Sequence, residues 1–415
     1  MKKQRYAIVA GLLALTLLAG CGRPAAPQKE AFSVVAPTAE AAPLSWEEIS
    51  AQTDAMAAIS AQAEAFGLDL ASRMEEDTFV FSPFSVYLAL AAMMDGATGQ
   101  TAEDMAAALC PEGMDEAAFQ EGIRALLALL EQDEGSLIQI STLVTLAPRY
   151  QLTAGFAEAV SNYFGGTTAT ADFADPQTME DLNQWAREQT NGMIDPLLTE
   201  PLDPDTALAL LNSVYFLGRW QSCFDPSLSY EADFHGSDGV SQQTFMTQEG
   251  TFDYAETDVF QSVSLPYAGG AAMRLFLPKE GKTTGDVLAS LQQGRPEYTP
   301  GLGTVTLPRF ETESTLPLDS ILQSAGLASM YQGGFTELAT AEGVPADLLI
   351  TEVLQKAKIS VDEEGTEAAA VTIVAASDGA FLPQGEPFRF LADRPFVYTI
   401  DYGNTSLFLG VQSSF

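Results

Sequence analysis

The sequence predicts an α+β fold, because helical and strand patterns occupy different stretches of the chain. Apolar residues recur with helical spacing between residues 45 and 76. Strand patterns rich in branched and aromatic residues dominate from residue 137 onwards. The chain is 47% hydrophobic, which is enough for a large core. Its length alone favours two domains.

The N-terminus has the pattern of a targeting segment, predicted over residues 1–20. Basic residues precede an apolar run that is too short for a transmembrane helix. Leu18-Ala19-Gly20-Cys21 resembles the lipobox of bacterial lipoproteins, which implies cleavage before Cys21 and lipidation of its thiol. An ordinary secretory signal with an incidental cysteine is the alternative.

The segment after this signal is rich in Ala and Pro and has no apolar periodicity. We predict that residues 21–48 form a tether and that the globular domain spans residues 49–415. Two or more acyl chains on Cys21 would hold the protein on the extracytoplasmic face of a bacterial cell membrane.

Charge and residue counts exclude several partners. The formal net charge is -37 with one histidine, so we expect no nucleic-acid partner. Cys110 and Cys223 are the cysteines beyond Cys21, and we expect free, buried thiols, with a disulfide as the alternative. One histidine and two distant cysteines do not suit a zinc site, so no metal or cofactor is expected.

An enzyme is not predicted. A Ser-His-Asp or Cys-His hydrolase would have to use His235, the single histidine. The chain contains no G-x-S-x-G, P-loop, G-x-G-x-x-G or H-E-x-x-H motif. No pair of carboxylates stands out from the acidic background.

The first elements after the helical stretch have clear local signals. Residues 79–81 suit a short strand, and Ser82-Pro83 suits the start of a helix through Met94. Thr101, with Asp104 three residues later, predicts the start of another helix.

Strand patterns then recur along the chain. They cover residues 137–147, 206–217, 263–267, 273–278, 305–310, 393–400 and 405–410, with one helix predicted from residue 318 to about residue 330.

The most informative stretch is residues 355–388. Residues 355–361 alternate between polar and apolar types, as in a strand, and Asp362-Glu363-Glu364-Gly365 should end it. A run of small residues follows, and then loop-forming residues from Asp378 to Gly385.

The small-residue run fits two structures equally well. Alanine favours a short surface helix. As a strand, the run would have one uncharged face with nothing larger than valine, formed by Thr366, Ala368, Ala370, Thr372, Val374 and Ala376.

Glu363-Glu364-Gly365-Thr366-Glu367-Ala368-Ala369-Ala370 resembles the hinge of the serpin family, the metastable inhibitors of serine and cysteine proteases. Other serpin-like stretches extend the resemblance over about residues 50–415. It implies one domain of about nine helices around three β-sheets, with an exposed reactive centre loop at about residues 363–388. The stretches include Ser82-Pro83-Phe84-Ser85, Asn183-Gln184-Trp185, Leu211-Asn212-Ser213, Gly218-Arg219-Trp220 and Phe234-His235.

The resemblance also assigns roles to single residues. Glu363, Glu364, Gly365, Thr366, Glu367, Ala368, Ala369 and Ala370 would form the hinge. Ser82, Ser85 and Asn212 would belong to the shutter, where the main sheet opens, and Trp220 to the breach, where insertion starts. Gln355 stands where many serpins carry a shutter histidine. Read locally, Ser82 and Ser85 would cap a helix, and Trp220 would be a core aromatic.

Counting from the hinge, as the family pattern suggests, predicts Gly379–Ala380 as the reactive bond, with Phe381 or Leu382 as alternatives. No Lys or Arg lies there, so we predict elastase-, chymotrypsin- or subtilisin-like targets and no trypsin-like target. The implied function is suicide inhibition by a monomer. An acidic segment after Cys110 makes heparin binding unexpected. A non-inhibitory surface lipoprotein of the same fold, acting as a binding module or a substrate, is the alternative.

Overall fold

Three β-sheets with helices packed around them organise the part of the chain that this computed structural model describes, residues 31–39, 41–133, 135–366 and 386–415. This arrangement confirms the predicted α+β class. The targeting segment, Cys21 and the reactive bond lie outside the described residues.

The elements are named here in chain order. The helices are α1 Trp46–Ala51, α2 Thr53–Ala71, α3 Pro83–Met94, α4 Gly99–Leu109, α5 Glu116–Glu131, α6 Ala154–Asn162, α7 Gln177–Gln189, α8 Thr284–Leu291 and α9 Asp319–Leu322. The strands are β1 Phe32–Val35, β2 Phe79–Phe81, β3 Ser136–Leu146, β4 Gln151–Leu152, β5 Thr167–Ala171, β6 Leu208–Arg219, β7 Tyr230–Gly236, β8 Gly239–Glu256, β9 Phe260–Pro266, β10 Ala271–Pro278, β11 Thr299–Pro308, β12 Phe310–Pro317, β13 Ala339–Ala341, β14 Val344–Pro345, β15 Glu352–Val361, β16 Gly365–Thr366, β17 Phe388–Leu391, β18 Phe396–Tyr402 and β19 Thr405–Gln412.

The main sheet has seven strands in the order β1-β5-β3-β6-β16-β15-β12. A second sheet follows the order β17-β11-β8-β9-β10-β18-β19-β2, with β7 paired to β8, and a third contains β14, β13 and β4. Strand β3 pairs antiparallel with β6 along its whole length, from Ser136 opposite Gly218 to Leu146 opposite Leu208. This long, buried pairing forms one half of the main sheet.

Helix α3 begins as predicted. Ser82 precedes it, and the Ser82 hydroxyl accepts the Ser85 N–H at 3.3 Å, with Pro83 at the first helical position. Helix α4 differs from the prediction, because it begins at Gly99 and not at Thr101. The Thr101 hydroxyl instead donates to the Gly333 carbonyl at 2.9 Å, a partner far away in the sequence.

The tether prediction is wrong for its second half. Strand β1 pairs antiparallel with β5 at the edge of the main sheet, with Phe32 opposite Ala171 and Val35 opposite Thr168. The compact unit therefore begins at Ala31 and not at residue 49. Four residues give a weak local signal, and the edge of β5 supplies the backbone partners that stabilise them.

The central part of the main sheet is covered on both faces, whereas β12 at its edge alternates between buried and exposed residues. One face lies on the principal core, which contains helix α3 and residues of the second sheet. Helix α7 covers the other face, where Leu182 and Trp185 pack with Leu211 and Leu354. Cys110 and Cys223 are free thiols, as expected, although both are half-buried. Among the described helices, none has the length and apolar character needed to cross a membrane.

One predicted strand is two strands in the structure. Strand β11 ends at Pro308 and β12 begins at Phe310, so the pattern at residues 305–310 spans a change of sheet. Arg309 lies at this junction, and its side chain points to the predicted hinge.

Candidate functional site

The predicted hinge follows β15 through a tight turn and forms strand β16. The Asp362 N–H donates to the Gly365 carbonyl at 2.9 Å. The Asp362 carboxylate accepts the N–H groups of Glu364 and Gly365, at 2.8 and 3.2 Å. The two residues of β16 then lie between β6 and β15. The sequence correctly predicts that the acidic pair ends β15.

Gly365 is required by this turn. Its φ of +155° is accessible to glycine, and it pairs with Arg219 of β6. A Cβ atom at this position would lie 2.1 Å from the Gly218 carbonyl oxygen, a backbone atom that cannot move aside. The glycine therefore allows the hinge to enter the sheet beside β6.

Glu363 anchors the turn through an ion pair with Arg309. The two carboxylate oxygens accept from Arg309 Nη2 and Nε, at 2.6 and 2.8 Å. The Ser229 hydroxyl also donates to Glu363. Glu363 is only 4% exposed, and burial opposes its ionisation, but the hydrogen bonds from Arg309 and Ser229 outweigh burial and lower the pKa of Glu363.

The hinge carbonyls are held by the segment that follows β6. The Trp220 N–H donates to the Glu364 carbonyl and the Trp220 indole N–H to the Asp362 carbonyl, each at 2.9 Å. The Phe224 N–H donates to the Glu363 carbonyl at 3.0 Å. Each carbonyl of residues 362–364 therefore has a donor from residues 220–224.

Trp220 is also a core aromatic, as its local pattern predicts, while its role at the breach stays a prediction. It is 2% exposed and stacks on Tyr267, with ring centroids 4.4 Å apart. The Tyr267 hydroxyl lies 2.7 Å from the Thr366 hydroxyl. Burial raises the pKa of Tyr267, so the phenol stays neutral. The side chain of Thr366 therefore already points into the core in the intact chain.

Below β16, the main sheet is closed. Strands β6 and β15 pair directly in parallel, from Ala209 opposite Glu352 to Val214 opposite Ala357. We call this boundary the seam. A further strand could enter the main sheet here only by separating β6 from β15.

A buried hydrogen-bond network crosses behind the seam and contains the residues predicted for the shutter. Gln355 Nε2 donates to Asn212 Oδ1 at 2.7 Å, and the Ser85 hydroxyl donates to the same oxygen at 2.7 Å. Gln355 also accepts the Ser82 N–H at 2.8 Å and donates to the Ser82 carbonyl. Asn212 Nδ2 donates to the Thr142 hydroxyl at 3.0 Å. The network therefore joins α3, β3, β6 and β15.

The side-chain amide of Gln355 has hydrogen-bond partners for both its oxygen and its nitrogen. It is 0% exposed, and its amide uses both its donor and its acceptor ability. The network consists of hydroxyl, amide and backbone groups, none of which ionises near neutral pH.

Lys356 lies on the face of β15 opposite to Gln355, and its side chain extends over the face of the main sheet that helix α7 covers. Lys356 Nζ donates to the Pro196 carbonyl at 2.9 Å and pairs with Glu313 of β12 at 2.6 Å. Pro196 belongs to the connection between α7 and β6. Lys356 therefore links the connection that leads into β6 with β15, on the other side of the seam.

Sequence reasoning did not identify Arg309, Ser229, Tyr267, Thr142 or Lys356 as members of this site. Each acts through a partner that is distant in the sequence, so no local motif marks it. The predicted hinge residues Glu367, Ala368, Ala369 and Ala370 and the predicted reactive residues Gly379, Ala380, Phe381 and Leu382 lie outside the described residues.

His235, the single histidine, lies on strand β7. It is exposed, and its backbone N–H donates to the Asp393 carbonyl at 2.8 Å. Within the described ranges, no group of three or more His, Cys, Asp or Glu residues is arranged to hold a metal ion.

Comparisons with known proteins agree with this geometry. The family model "Serpin (serine protease inhibitor)" matches residues 61–414. An uncharacterised serpin-like protein of Thermococcus kodakarensis is 35% identical, over 80% of this chain and 79% of its own length. Iripin-2 of Ixodes ricinus is 31% identical, over 80% of this chain and 85% of its own.

Solved structures give the same fold. Serpin48 of the insect Tenebrio molitor superimposes with a TM-score of 0.77 at 25% identity, over 88% of this chain and 98% of its own. The thermophilic serpin tengpin in its native state has a TM-score of 0.77 at 24% identity, over 91% of this chain and 97% of its own, which supports the fold alone. With a family model that spans most of the chain and relatives above 30% identity, the chain belongs to the serpin family, whose members act on target proteases.

Proposed function

We propose that this chain is a suicide inhibitor of serine proteases, with cysteine proteases as further targets, whose loop inserts into the main sheet once it is cut. The observation that carries the proposal is the position of β16. Gly365 and Thr366 already lie between β6 and β15, at the end of a seam that is otherwise closed.

The register of β16 supports insertion without sliding. Thr366 pairs antiparallel with Gly218 on one side and with Val361 on the other. A strand that kept both registers would bring residue 370 between Val214 and Ala357, which now pair with each other. Each inserted residue along the seam would likewise lie between two residues that now pair with each other. Strands β6 and β15 would therefore have to separate but would not have to slide along each other.

The seam also has the right length. In the same register, residue 376 would lie between Leu208, where β6 begins, and Thr351, just before β15. The Thr351 N–H already donates to the Leu208 carbonyl at 3.0 Å. Residues 370–376 would therefore fill the seam, and residues 367–369 would span the three unpaired positions between the seam and β16.

The uncharged face of the run would point into the principal core. Thr366 fixes the orientation, because it is fully buried and contacts Tyr267. Alternate residues would follow it inward, since side chains of a strand alternate between faces. Their neighbours on β6 would be Phe216, Val214, Asn212, Leu210 and Leu208, all of which are buried.

Insertion can supply enough free energy to hold a protease. About ten new strand residues, at roughly 0.5–1.5 kcal/mol per hydrogen bond, give on the order of 10 kcal/mol. This matches the whole stability of a typical domain, so the uncut chain can be metastable. The protease supplies the nucleophile and forms an acyl-enzyme with the cut loop. Movement of the roughly fourteen residues between the hinge and the cut bond, at about 3.3 Å each, then carries the protease about 45 Å before water completes hydrolysis.

The proposed targets are elastase-, chymotrypsin- or subtilisin-like, with Gly379–Ala380 as the cut bond. The test is incubation with elastase, chymotrypsin and trypsin, followed by a search for an SDS-stable complex and sequencing of the released peptide. A Gly379→Arg variant is the matched control and should gain a trypsin complex. A tight complex between trypsin and the unaltered chain would contradict the proposed specificity.

A second candidate is a non-inhibitory surface protein of the same fold that acts as a binding module or a protease substrate. Proline, charge or bulk on the inserting face would favour it, but that face has none between Thr366 and Ala376. Rapid cleavage without a stable complex, for every protease tested, would support this candidate.

We also propose that the protein is a lipoprotein anchored through Cys21 on the extracytoplasmic face of a bacterial cell membrane. The lipobox-like Leu18-Ala19-Gly20-Cys21 supports this location. Mass spectrometry of the N-terminal peptide tests it directly. Partition of the protein into a detergent phase, lost in Cys21→Ser, is the expected accompanying result.

A further inference from the structure

The N-terminal strand enters the main sheet at the end opposite to the hinge. Phe32 of β1 pairs with Ala171, the last residue of β5, and β5 runs parallel to β3 with Thr170 opposite Leu146. Leu146 in turn lies opposite Leu208, where β6 begins. The hinge residue Thr366 lies opposite Gly218, near the other end of β6.

We define the end at Ala171, Leu146 and Leu208 as the distal end of the main sheet, and the end at Gly218 and Thr366 as the hinge end. The ten residue steps from Leu208 to Gly218 correspond to about 33 Å along the strand. The chain therefore enters the fold about 33 Å from the point where the loop begins.

We propose that the distal end of the main sheet is the surface that faces the membrane, so that the hinge end and its loop point away from it. This inference rests on the lipid anchor proposed above. It follows that an inserted loop would carry the trapped protease from the far side of the molecule towards the bilayer.

The pairing of β1 with the main sheet would give the anchored protein a preferred orientation on the membrane. Nine residues separate Cys21 from Ala31, and even fully extended they reach about 35 Å. A tether through residue 48, as the sequence alone predicts, would reach about 95 Å and would allow any orientation. Because β1 belongs to the main sheet, the connection keeps the distal end within about 35 Å of the lipid, whereas the hinge end can lie about 33 Å further away.

Contacts beyond β1 keep this segment in place. The Asp172 N–H donates to the Ala31 carbonyl at 2.8 Å, directly where the described chain begins. Asn162 of α6 binds both the Ala39 carbonyl, at 3.1 Å, and the Ala41 N–H, at 2.9 Å. Arg124 of α5 donates to the Ala42 carbonyl at 2.6 Å. The segment is thus fixed to β5, α6 and α5 in succession.

The charges of the distal end fit a neutral lipid surface better than an anionic one. The turns next to Ala171, Leu146 and Leu208 contain four carboxylates, including Asp172 and Asp205, and one cation, Arg149, which donates to the Asp205 carbonyl at 3.3 Å. Anionic headgroups would repel this surface. The acyl chains would therefore supply the attraction, and the distal end would face the headgroups across the length of the tether without inserting among them. The other two carboxylates are Asp175 and Asp203.

The test uses full-length protein isolated from membranes and reconstituted into phosphatidylcholine vesicles that carry a headgroup fluorophore. A second fluorophore is placed through an azide-bearing residue at Arg149, on the distal end, or at Glu231, near the hinge end. Both positions are exposed. Energy transfer to the bilayer should be at least about twofold higher at 149 than at 231, given a separation of about 33 Å.

A variant of the docked strand is the matched control. Because Asp172 donates to Ala31, the antiparallel pattern makes Ser33 and Val35 the residues of β1 whose N–H groups face β5. Ser33→Pro with Val35→Pro removes both donors. The difference in energy transfer between the two reporters should then shrink while the protein stays on the vesicles.

The outcomes separate this inference from the proposals on which it rests. Equal transfer at both reporters in an acylated protein overturns the orientation and leaves the anchor intact. An unmodified Cys21 in the mass spectrum overturns the anchor and the orientation together. With a fluorescent protease, transfer to the bilayer should be low for a catalytically inactive form bound to the loop and higher for the trapped active form. No increase on trapping contradicts the inference.

Discussion

The Thr366 and Tyr267 hydroxyls lie 2.7 Å apart in the core, so Thr366 already has the orientation that the proposed insertion requires. Thr366 is fully buried between Gly218 and Val361, and residues that inserted after it would continue its alternation between the two faces. This contact is therefore the starting point of the proposed insertion.

Ala368→Arg should convert the proposed inhibitor into a substrate, because residue 368 shares the inserting face with Thr366, which is already in the sheet of the intact chain. A charge on the inserting face would be buried without a partner, which costs several kcal/mol and slows insertion until the acyl-enzyme hydrolyses. Glu367→Arg is the matched control, because residue 367 would face the other way in an inserted strand and the variant should remain inhibitory. The number of inhibitor molecules consumed per protease inhibited measures both variants. Equal inhibition by the two variants would refute the face assignment.

Arg309→Gln should release the hinge turn. Loss of the hydrogen bonds to Glu363 should lower the free energy of unfolding by about 1–3 kcal/mol at neutral pH, because the carboxylate stays buried.

The loss of stability caused by Arg309→Gln should become smaller as the pH falls. The pKa of Glu363 is lowered in the folded chain, so the ion pair contributes fully above the ordinary glutamate pKa of about 4.3. That contribution is lost as the pH falls from there through the lowered pKa. Melting temperatures of the two proteins should therefore converge in acid. A constant difference down to the acid limit of folding would show that this ion pair is not the cause.

Gln355→His should introduce a pH dependence that the unaltered protein lacks. A neutral histidine can accept from Ser82 and donate to Asn212, but burial opposes its protonation and lowers its pKa. The variant should therefore lose stability as the pH falls below about 6.5, the ordinary histidine value. Thermal unfolding at pH 8 and pH 5.5 measures this effect. If the melting temperatures of the two proteins change equally between these pH values, residue 355 does not control the stability of the shutter network.

Lys356→Met should speed insertion. The substitution removes the link to the Pro196 carbonyl, so the connection before β6 can leave the front of the seam more easily. Lys358→Met is the control, since Lys358 pairs with Glu311 and Glu313 of β12 and does not reach that connection. A fluorophore on the loop gives the insertion rate. Equal acceleration in both variants would point to a general loss of stability instead.

Local patterns predicted the elements that their own residues determine. The alternation in β15 and the acidic turn at residues 362–364 are examples, as is the start of α3 at Ser82-Pro83. Strand β1 could not be predicted, because four residues become a strand only beside β5, more than a hundred residues away. Thr101 failed as a helix start because its hydroxyl has a tertiary partner, the Gly333 carbonyl.

The residues of the candidate site also fall into two groups, those that a sequence motif marks and those that only the folded structure brings together. The hinge, Asn212 and Trp220 were found through the serpin-like motifs that contain them. Arg309 lies 54 residues from Glu363, and nothing in its neighbourhood distinguishes it from other surface arginines. Tyr267 and Lys356 likewise acquire their roles only when the sheets are assembled.

Thermal unfolding before and after cleavage of the loop tests the central claim most directly. A metalloprotease such as thermolysin can cut the loop without forming an acyl-enzyme, so the protein alone is measured. Insertion worth on the order of 10 kcal/mol should raise the melting temperature of a domain of this size by about 10 °C or more. A cleaved protein that unfolds within a few degrees of the intact one would contradict insertion between β6 and β15.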